Sequence, residues 1–500
     1  MKPQFLLGID AGLSATKAAL FDRHGQEISA ASVPNAVLRP HPGWAERAMD
    51  EAWASATRVV RKALDGVDGG AVAGVGVTGA MVGVWPIDAR GRPVRSAVLV
   101  ADVRGQAVID RVAARGPDVL KRIFAVDGCV VEPGCTLPVL RWLLDAEPET
   151  MAAARHVLTC KDWLRYRLTG AIAADVTEAA VAPGDARARG RSAEMLRLFG
   201  LEAEADLLPP VRASESLAGA VTPAAAAETG LRAGTPVAIG AGDVPCSAIA
   251  AGAFEPGVAL TVLGTTCHSG VVFSEPTFEP PDLGLLFTLP ENRWLRVMVN
   301  LAGTPNLDWA RSVLFGELGG DGAAFAALER AASSRPAGAD GLIYHPYLSD
   351  VGLIAPVVSR GARAQFSGLN ARHGRADLLR AVYEGVAYAI RDCYAAIGRP
   401  LREIRLVGGG ARSAFWSQTI ADVAGAPVVA PSGSEFGAMG AALLASVAIG
   451  WSASVREAAL APRGGARRYE PDPALAGVYG EAFARYCSER EAIVALAARG

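Results

Sequence analysis

One pattern occurs twice in this chain, once in each half, and it narrows the possible folds more than any other feature. The first copy is Phe5-Leu6-Leu7-Gly8-Ile9-Asp10-Ala11-Gly12-Leu13-Ser14, continuing to Lys17. The second is Ala259-Leu260-Thr261-Val262-Leu263-Gly264-Thr265-Thr266. Each is an apolar run, readable as a strand, that ends in glycine plus a hydroxyl residue and then resumes as a second apolar run. Glycine at such a turn lets backbone N–H groups approach phosphate oxygens, and a Ser or Thr hydroxyl adds a donor. Two such hairpins point to a duplicated fold that clamps a nucleotide between two halves.

The length agrees with duplication. A chain of 500 residues exceeds what one hydrophobic core supports, so two domains are expected. The boundary falls near Gly252, just before the second hairpin, giving domains 1–252 and 253–500. Hydrophobic residues make up 51% and charged residues 20%, and the net charge is −2. With no basic block, a nucleic-acid partner is not expected. No apolar run reaches membrane-spanning length without a charge or a Gly/Pro interruption, so no membrane partner is expected either. The seven cysteines are widely spaced without a Cys-x-x-Cys pair, which suits buried thiols in a reduced cytoplasm. No zinc-binding spacing involves the six histidines.

Strands and helices alternate along the chain, which implies an α/β architecture with helices flanking each sheet. The first hairpin covers Phe5–Ala31, with a polar turn at Asp22–Gln26. Met49–Leu64 has helical periodicity, Ala71–Thr78 reads as a strand, and Val84–Arg92 as a strand running into a turn. Leu137–Leu144, Lys161–Leu168 and the Ala-rich Val221–Glu228 read as helical. Thr235–Asp243 reads as a strand ending at Gly242-Asp243, followed by a close-packed helix through Gly252. The second half contains the segment Gly341–Leu348 and a helix from Ala376 to Cys393. The strand Ile404–Val407 enters Gly408-Gly409-Gly410, and a closing helix lies within Glu470–Gly500.

On residue types alone, Asp243 reads either as a helix N-cap or as a cleft carboxylate. Asp10, at the end of the first strand, reads either as a turn residue or as an oxygen ligand for a hard cation. Gly12-Leu13-Ser14-Ala15-Thr16-Lys17 is not a Walker A loop, because it lacks the second glycine and the Lys-Ser/Thr pair.

Five segments in order resemble the FGGY carbohydrate kinases. They are Pro42-Gly43-Trp44-Ala45-Glu46, Lys161-Asp162-Trp163-Leu164 with Leu168-Thr169-Gly170, Ala364-Gln365-Phe366-Ser367-Gly368-Leu369 followed by Asp377–Glu384, Gly408–Ser413 with Phe415-Trp416, and Glu435–Ala442. The resemblance covers nearly the whole chain. It implies an actin/hexokinase-like fold of duplicated ribonuclease H-like α/β domains, a nucleotide cleft between them and cytoplasmic action. Pro42–Met49, Leu140–Leu143 and Asn306–Trp309 are similar to L-xylulose kinases, and erythritol kinases are also similar.

The resemblance further implies ATP-dependent phosphorylation of a terminal hydroxyl of a small sugar, with a ketopentose of the xylulose type as acceptor. A sugar alcohol such as erythritol is the alternative, and a non-catalytic sugar- and ATP-binding member of the fold is the alternative of another class. Asp243 is the implied general base and also touches substrate. ATP is held by Gly12, Ser14, Gly264, Thr265, Thr266, Gly409, Gly410 and Ser413, and Asp10 holds Mg²⁺. Met81, Asp102 and Arg104 line the acceptor site, where Asp102 and Arg104 either bind hydroxyls or pair with each other. Lys161–Leu168 is the implied lid-side helix, and a homodimer is plausible. Two departures stand out. Leu13 occupies a position that is usually Thr, and Ala80 and Val82 stand where polar residues, often Gln and His, are usual.

Overall fold

The computed structural model describes residues 4–320 and 322–499. Among these, the sheet of the first half has six strands. They are β1 (Phe5–Ala11), β2 (Ala15–Phe21), β3 (Glu27–Pro34), β4 (Val72–Gly79), β5 (Leu217–Ala220) and β6 (Pro236–Ala238). Their spatial order is β5-β6-β4-β1-β2-β3. The second half has a seven-stranded sheet built from β7 (Val258–Leu263), β8 (Cys267–Phe273), β9 (Leu285–Leu289), β10 (Arg293–Asn300), β11 (Glu403–Val407), β12 (Val428–Ala430) and β13 (Arg467–Tyr469), ordered β9-β10-β8-β7-β11-β12-β13.

The two sheets share one plan. β1 pairs antiparallel with β2 and parallel with β4. β7 likewise pairs antiparallel with β8 and parallel with β11. Strands paired on both edges and covered on both faces must be apolar throughout, which explains the unbroken runs read in the sequence. The parallel strands end in the turns at Gly12, Ala80, Gly264 and Gly408, so these turns share the carboxyl edges of their sheets, where open α/β sheets bind ligands.

The helices that matter for the site are α1 (Met49–Ala63), α2 (Cys160–Thr169), α3 (Val176–Ala180), α4 (Asp243–Ala251), α5 (Arg375–Ile397), α6 (Ala414–Ala424), α7 (Phe436–Ala448) and α8 (Ala476–Ala497). α7 belongs to the second half by sequence yet packs on β1 and β4 of the first, and against α4. The approach is so close that a β-carbon at Gly8 would sit 1.8 Å from the Ala438 carbonyl oxygen, and one at Gly76 would sit 1.9 Å from that of Ala441. A single apolar core, including Leu6, Phe21, Ile249, Leu260, Val297 and Leu444, therefore runs across both halves. No helix among the described residues is long and apolar enough to cross a membrane.

Most sequence-derived elements hold within a few residues. The strand expected over Thr235–Asp243 is shorter, Pro236–Ala238, because Gly240 turns left-handed after it. The closing helix is Ala476–Ala497, and the final residue lies outside the described part. α2 is not a lid. Its Lys161, Asp162, Trp163 and Arg165 are buried, so it is an interior helix of the first half.

Candidate active site

Asp243 begins α4, with Gly242 in the capping position. Its Oδ1 accepts from the neighbouring Val244 N–H at 2.8 Å, so the carboxylate is not committed to a deeper helix-capping bond. Burial pushes its pKa up to about 7, and the negative charge of Asp10 pushes in the same direction. A carboxyl poised there carries a substantial basic fraction at neutral pH and holds a proton once given one.

Asp10 lies near the end of β1, opposite Lys17 on β2 and Thr78 on β4. Burial raises its pKa to about 6, against a lowering pull from Lys17 and with a further push from Glu435. Its Oδ1 is buried without a hydrogen-bond partner. An unsatisfied carboxylate oxygen suits a hydrated hard cation, which needs few protein ligands when water and phosphate supply the rest. No group of three or more metal-ligating side chains occurs among the described residues. An all-protein metal cage is therefore absent from that part of the chain, whereas a cation shared with a phosphate fits.

The turn at Gly12 is braced from behind. Asn35 Nδ2 donates to the Gly12 carbonyl at 2.7 Å, and the Asn35 N–H donates to the Ser14 carbonyl at 2.9 Å. Arg47 in turn donates to Asn35 Oδ1 at 2.7 Å. Leu13 and Ser14 face outward. In the second turn the Gly264 N–H donates to the Thr266 carbonyl at 3.0 Å, and the Thr304 N–H donates to the Gly264 carbonyl at 2.8 Å. Asn35, Arg47 and Thr304 escape a sequence reading because they are distant in the chain from the turns they brace, and Arg47 acts only through Asn35.

A cavity of about 460 Å³ opens between the halves, lined by Lys17 from the first and by Gly408, Gly409, Arg412, Ser434 and Glu435 from the second. Lys17 is on β2, as its position after the turn suggests, and its Nζ pairs with Glu435 across the halves at 2.9 Å. Gly409 borders this cavity. Gly410 instead packs on Leu263, and the Ser413 hydroxyl caps α6 by accepting from the Trp416 N–H at 2.9 Å.

On the acceptor side, Met81 is buried against Gly242. Asp102 and Arg104 are paired at 2.9 Å, the second of the two readings weighed for them. Arg104 also reaches Glu46 at 2.7 Å, and Asp102 accepts from the Ala45 N–H at 2.7 Å. Of the guanidinium nitrogens, Nη1 is left without a partner. Trp44 lies over that guanidinium at 3.8 Å and meets Trp142 edge-on, so it packs within the protein. Trp309 packs on Tyr344 and Phe366. His268 sits on β8, and burial lowers its pKa, which keeps the ring neutral. All seven cysteines are free, and burial pushes Cys246 and Cys267 up to about 12.

Residues 5–250 match the N-terminal domain, and residues 259–449 the C-terminal domain, of the FGGY family of carbohydrate kinases. The chain belongs to that family. It is 33% identical to an erythritol kinase of Brucella abortus, covering 99% of this chain and 97% of that one. It is 34% identical to a xylulose kinase of Escherichia coli, over 88% of this chain and 90% of that one. The xylulose kinase structure from Rhodospirillum rubrum superposes with a TM-score of 0.87 at 28% identity, covering 99% of this chain and 100% of that one. The FGGY assignment accounts for the two matched sheets and the shared carboxyl edges, and it makes the protein a carbohydrate kinase that uses ATP.

Proposed function

We propose that this kinase transfers the γ-phosphoryl group of ATP to a terminal hydroxyl of a ketopentose of the xylulose type, with Asp243 as general base. The observation that carries the reading is the position of Asp243. It starts a helix near Asp10, one residue after Gly242, which packs against Met81, and its pKa lies near neutrality. The Asp243 carboxylate accepts the acceptor's hydroxyl proton as that oxygen bonds to the γ-phosphorus, and ADP leaves with the electrons of the broken P–O bond. The turns at Gly12 and Gly264 hold the phosphates with backbone N–H groups, aided by Ser14, Thr265 and Thr266. The adenosine occupies the 460 Å³ cavity at Gly409. Asp10, whose Oδ1 has no partner, would hold Mg²⁺, and the ion would offset phosphate charge. Gly410 and Ser413 shape this site from behind.

Met81 forms the acceptor wall, and the Asp102–Arg104 pair supports it, with Arg104 Nη1 the donor left for a ligand oxygen. A second reading, a sugar alcohol as acceptor, draws support from the full-length similarity to an erythritol kinase and from the apolar Ala80 and Val82. The deciding experiment measures ADP release with Mg-ATP across D- and L-pentuloses, tetritols, pentitols and hexuloses. A pentulose response supports the first reading, and a tetritol or pentitol response the second. Silence with ATP still bound defeats both.

A further inference from the structure

α3 is five residues long. Two consecutive side chains on it reach main-chain N–H groups of two different site loops. Thr177 Oγ1 accepts from the Gly242 N–H at 2.9 Å, one residue before Asp243. Glu178 Oε2 accepts from the Val82 N–H at 2.9 Å, one residue after Met81. Both side chains are buried. We propose that Thr177 and Glu178 are positioning residues that hold the base and the acceptor wall in one register.

The hydroxyl of Thr177 has a fixed orientation. It donates to Asp175 Oδ2 at 2.7 Å, which leaves its oxygen free to accept from Gly242. Asp175 is itself held in place. Its Oδ2 accepts from Ser214 Oγ at 2.7 Å, and its Oδ1 pairs with Lys161 Nζ at 2.9 Å. Lys161 also pairs with Asp162, and Asp162 with Arg165, which donates to the Ile239 carbonyl at 3.0 Å. The chain of contacts thus runs from Gly242 down through α3 and α2 and returns to the exit of β6.

The two loops also press on each other. A β-carbon at Gly242 would lie 2.4 Å from Met81 Sδ, so any slip of one loop displaces the other. Val82 adopts φ 56°, a conformation that a β-branched residue resists. The Glu178 bond is the contact that fastens its N–H there. Neither N–H belongs to a strand ladder or a helix interior, so the two bonds serve the site loops and not regular structure. A side-chain strap under a catalytic residue acts by limiting misplacement, and about 1 Å of error at a reacting group costs on the order of 100-fold in rate.

This inference rests on the reading of Asp243 as base and Met81 as acceptor wall. Its test compares Thr177→Val, Thr177→Ala and Thr177→Ser. Val and Ala remove the hydroxyl and should lower kcat on the order of 10–100-fold, with KM for Mg-ATP little changed. Ser restores the hydroxyl and should recover most of the rate. Glu178→Leu should raise the acceptor KM about tenfold without moving that for ATP, and Glu178→Gln, which keeps an acceptor oxygen, should reverse this. Amide hydrogen exchange at Gly242 gives a readout independent of turnover and should accelerate in the Val and Ala variants but not in Ser. If Thr177→Val does not fold, Thr177→Ala decides. Wild-type kcat and unchanged Gly242 exchange in the hydroxyl-free variants overturn the proposal. An equal loss in the Ser variant, which would trace the effect to methyl packing, overturns it too. A wild-type enzyme silent on every acceptor defeats the kinase reading, whereas the exchange measurement still decides whether Thr177 straps Gly242.

Discussion

Gly437 lies against Asp10. A β-carbon at Gly437 would sit 2.3 Å from Asp10 Oδ2, although one residue lies in the first turn of α7 in the second half and the other near the end of β1 in the first. The helix start thus presents bare backbone to a carboxylate assigned to the cation. Gly437→Ala should push that carboxylate aside. We expect turnover to fall at least about tenfold and the Mg²⁺ needed for half-maximal rate to rise, with the fold kept. Mg²⁺ titrations of initial rate check this, and an unchanged Mg²⁺ dependence would remove Asp10 from that role.

The Asp243 pKa of about 7 gives two expectations of opposite sign. Activity needs the carboxylate, so kcat/KM should rise with pH through the neutral range, with Asp10 and Asp243 titrating as a coupled pair. Stability runs the other way. The folded pKa lies above the unfolded value, so the folded state binds the extra proton and stability falls as pH rises from about 4 to about 7. Asp243→Asn should therefore abolish turnover, keep ATP binding and raise Tm by about 1–3 °C at pH 8. Rate profiles and calorimetry on the two proteins test both, and near-normal turnover in the variant would exclude Asp243 as base.

How much of this was readable in advance depends on whether a residue acts through its neighbours in sequence. The two phosphate hairpins, Asp10 and the Gly242-Asp243 helix start are local signals, and the structure places them on the carboxyl edges of matched sheets. Asp102 and Arg104 were ambiguous because a buried pair and a ligand pair have the same spacing, and only Glu46, Ala45 and Trp44, brought in from elsewhere, separate the two. Ser413 looked like a ligand because a hydroxyl after a glycine triplet suits either a nucleotide or a helix cap, and the cap takes it. The burial of Lys161 is not legible in the sequence. A lysine in a polar helix start normally faces solvent, and its burial depends on two aspartates, one of them beyond the end of its own helix.

Lys161 has its Nζ within 2.6 Å of Asp162 and 2.9 Å of Asp175, and all three side chains are buried. Burial alone would lower the lysine pKa, but the two aspartates and Glu178 outweigh it, so the ammonium stays charged. Lys161→Met would leave buried Asp175 without its cation and Asp162 with Arg165 alone. The expected cost is about 3–5 kcal/mol, read as a lower midpoint in urea unfolding at pH 7.

Val82 is the place where stability and acceptor choice can be separated. Its φ of 56° is unfavourable for a β-branched side chain, and Asn tolerates the same backbone while keeping the N–H that Glu178 accepts. Val82 is buried in the apolar core that runs across both halves, so burying an amide there outweighs the backbone strain it relieves, and Val82→Asn should lower Tm. It also places an amide on an acceptor wall that is otherwise apolar at Ala80, Met81 and Val82. A polar group there should favour acceptors that present a hydroxyl to it and disfavour those that present carbon, a change of about 1–3 kcal/mol in relative kcat/KM. Measured across the pentulose and tetritol panel, a reordering of acceptors ties Val82 to acceptor choice. A lowered Tm with the acceptor order unchanged would place Val82 outside the acceptor wall.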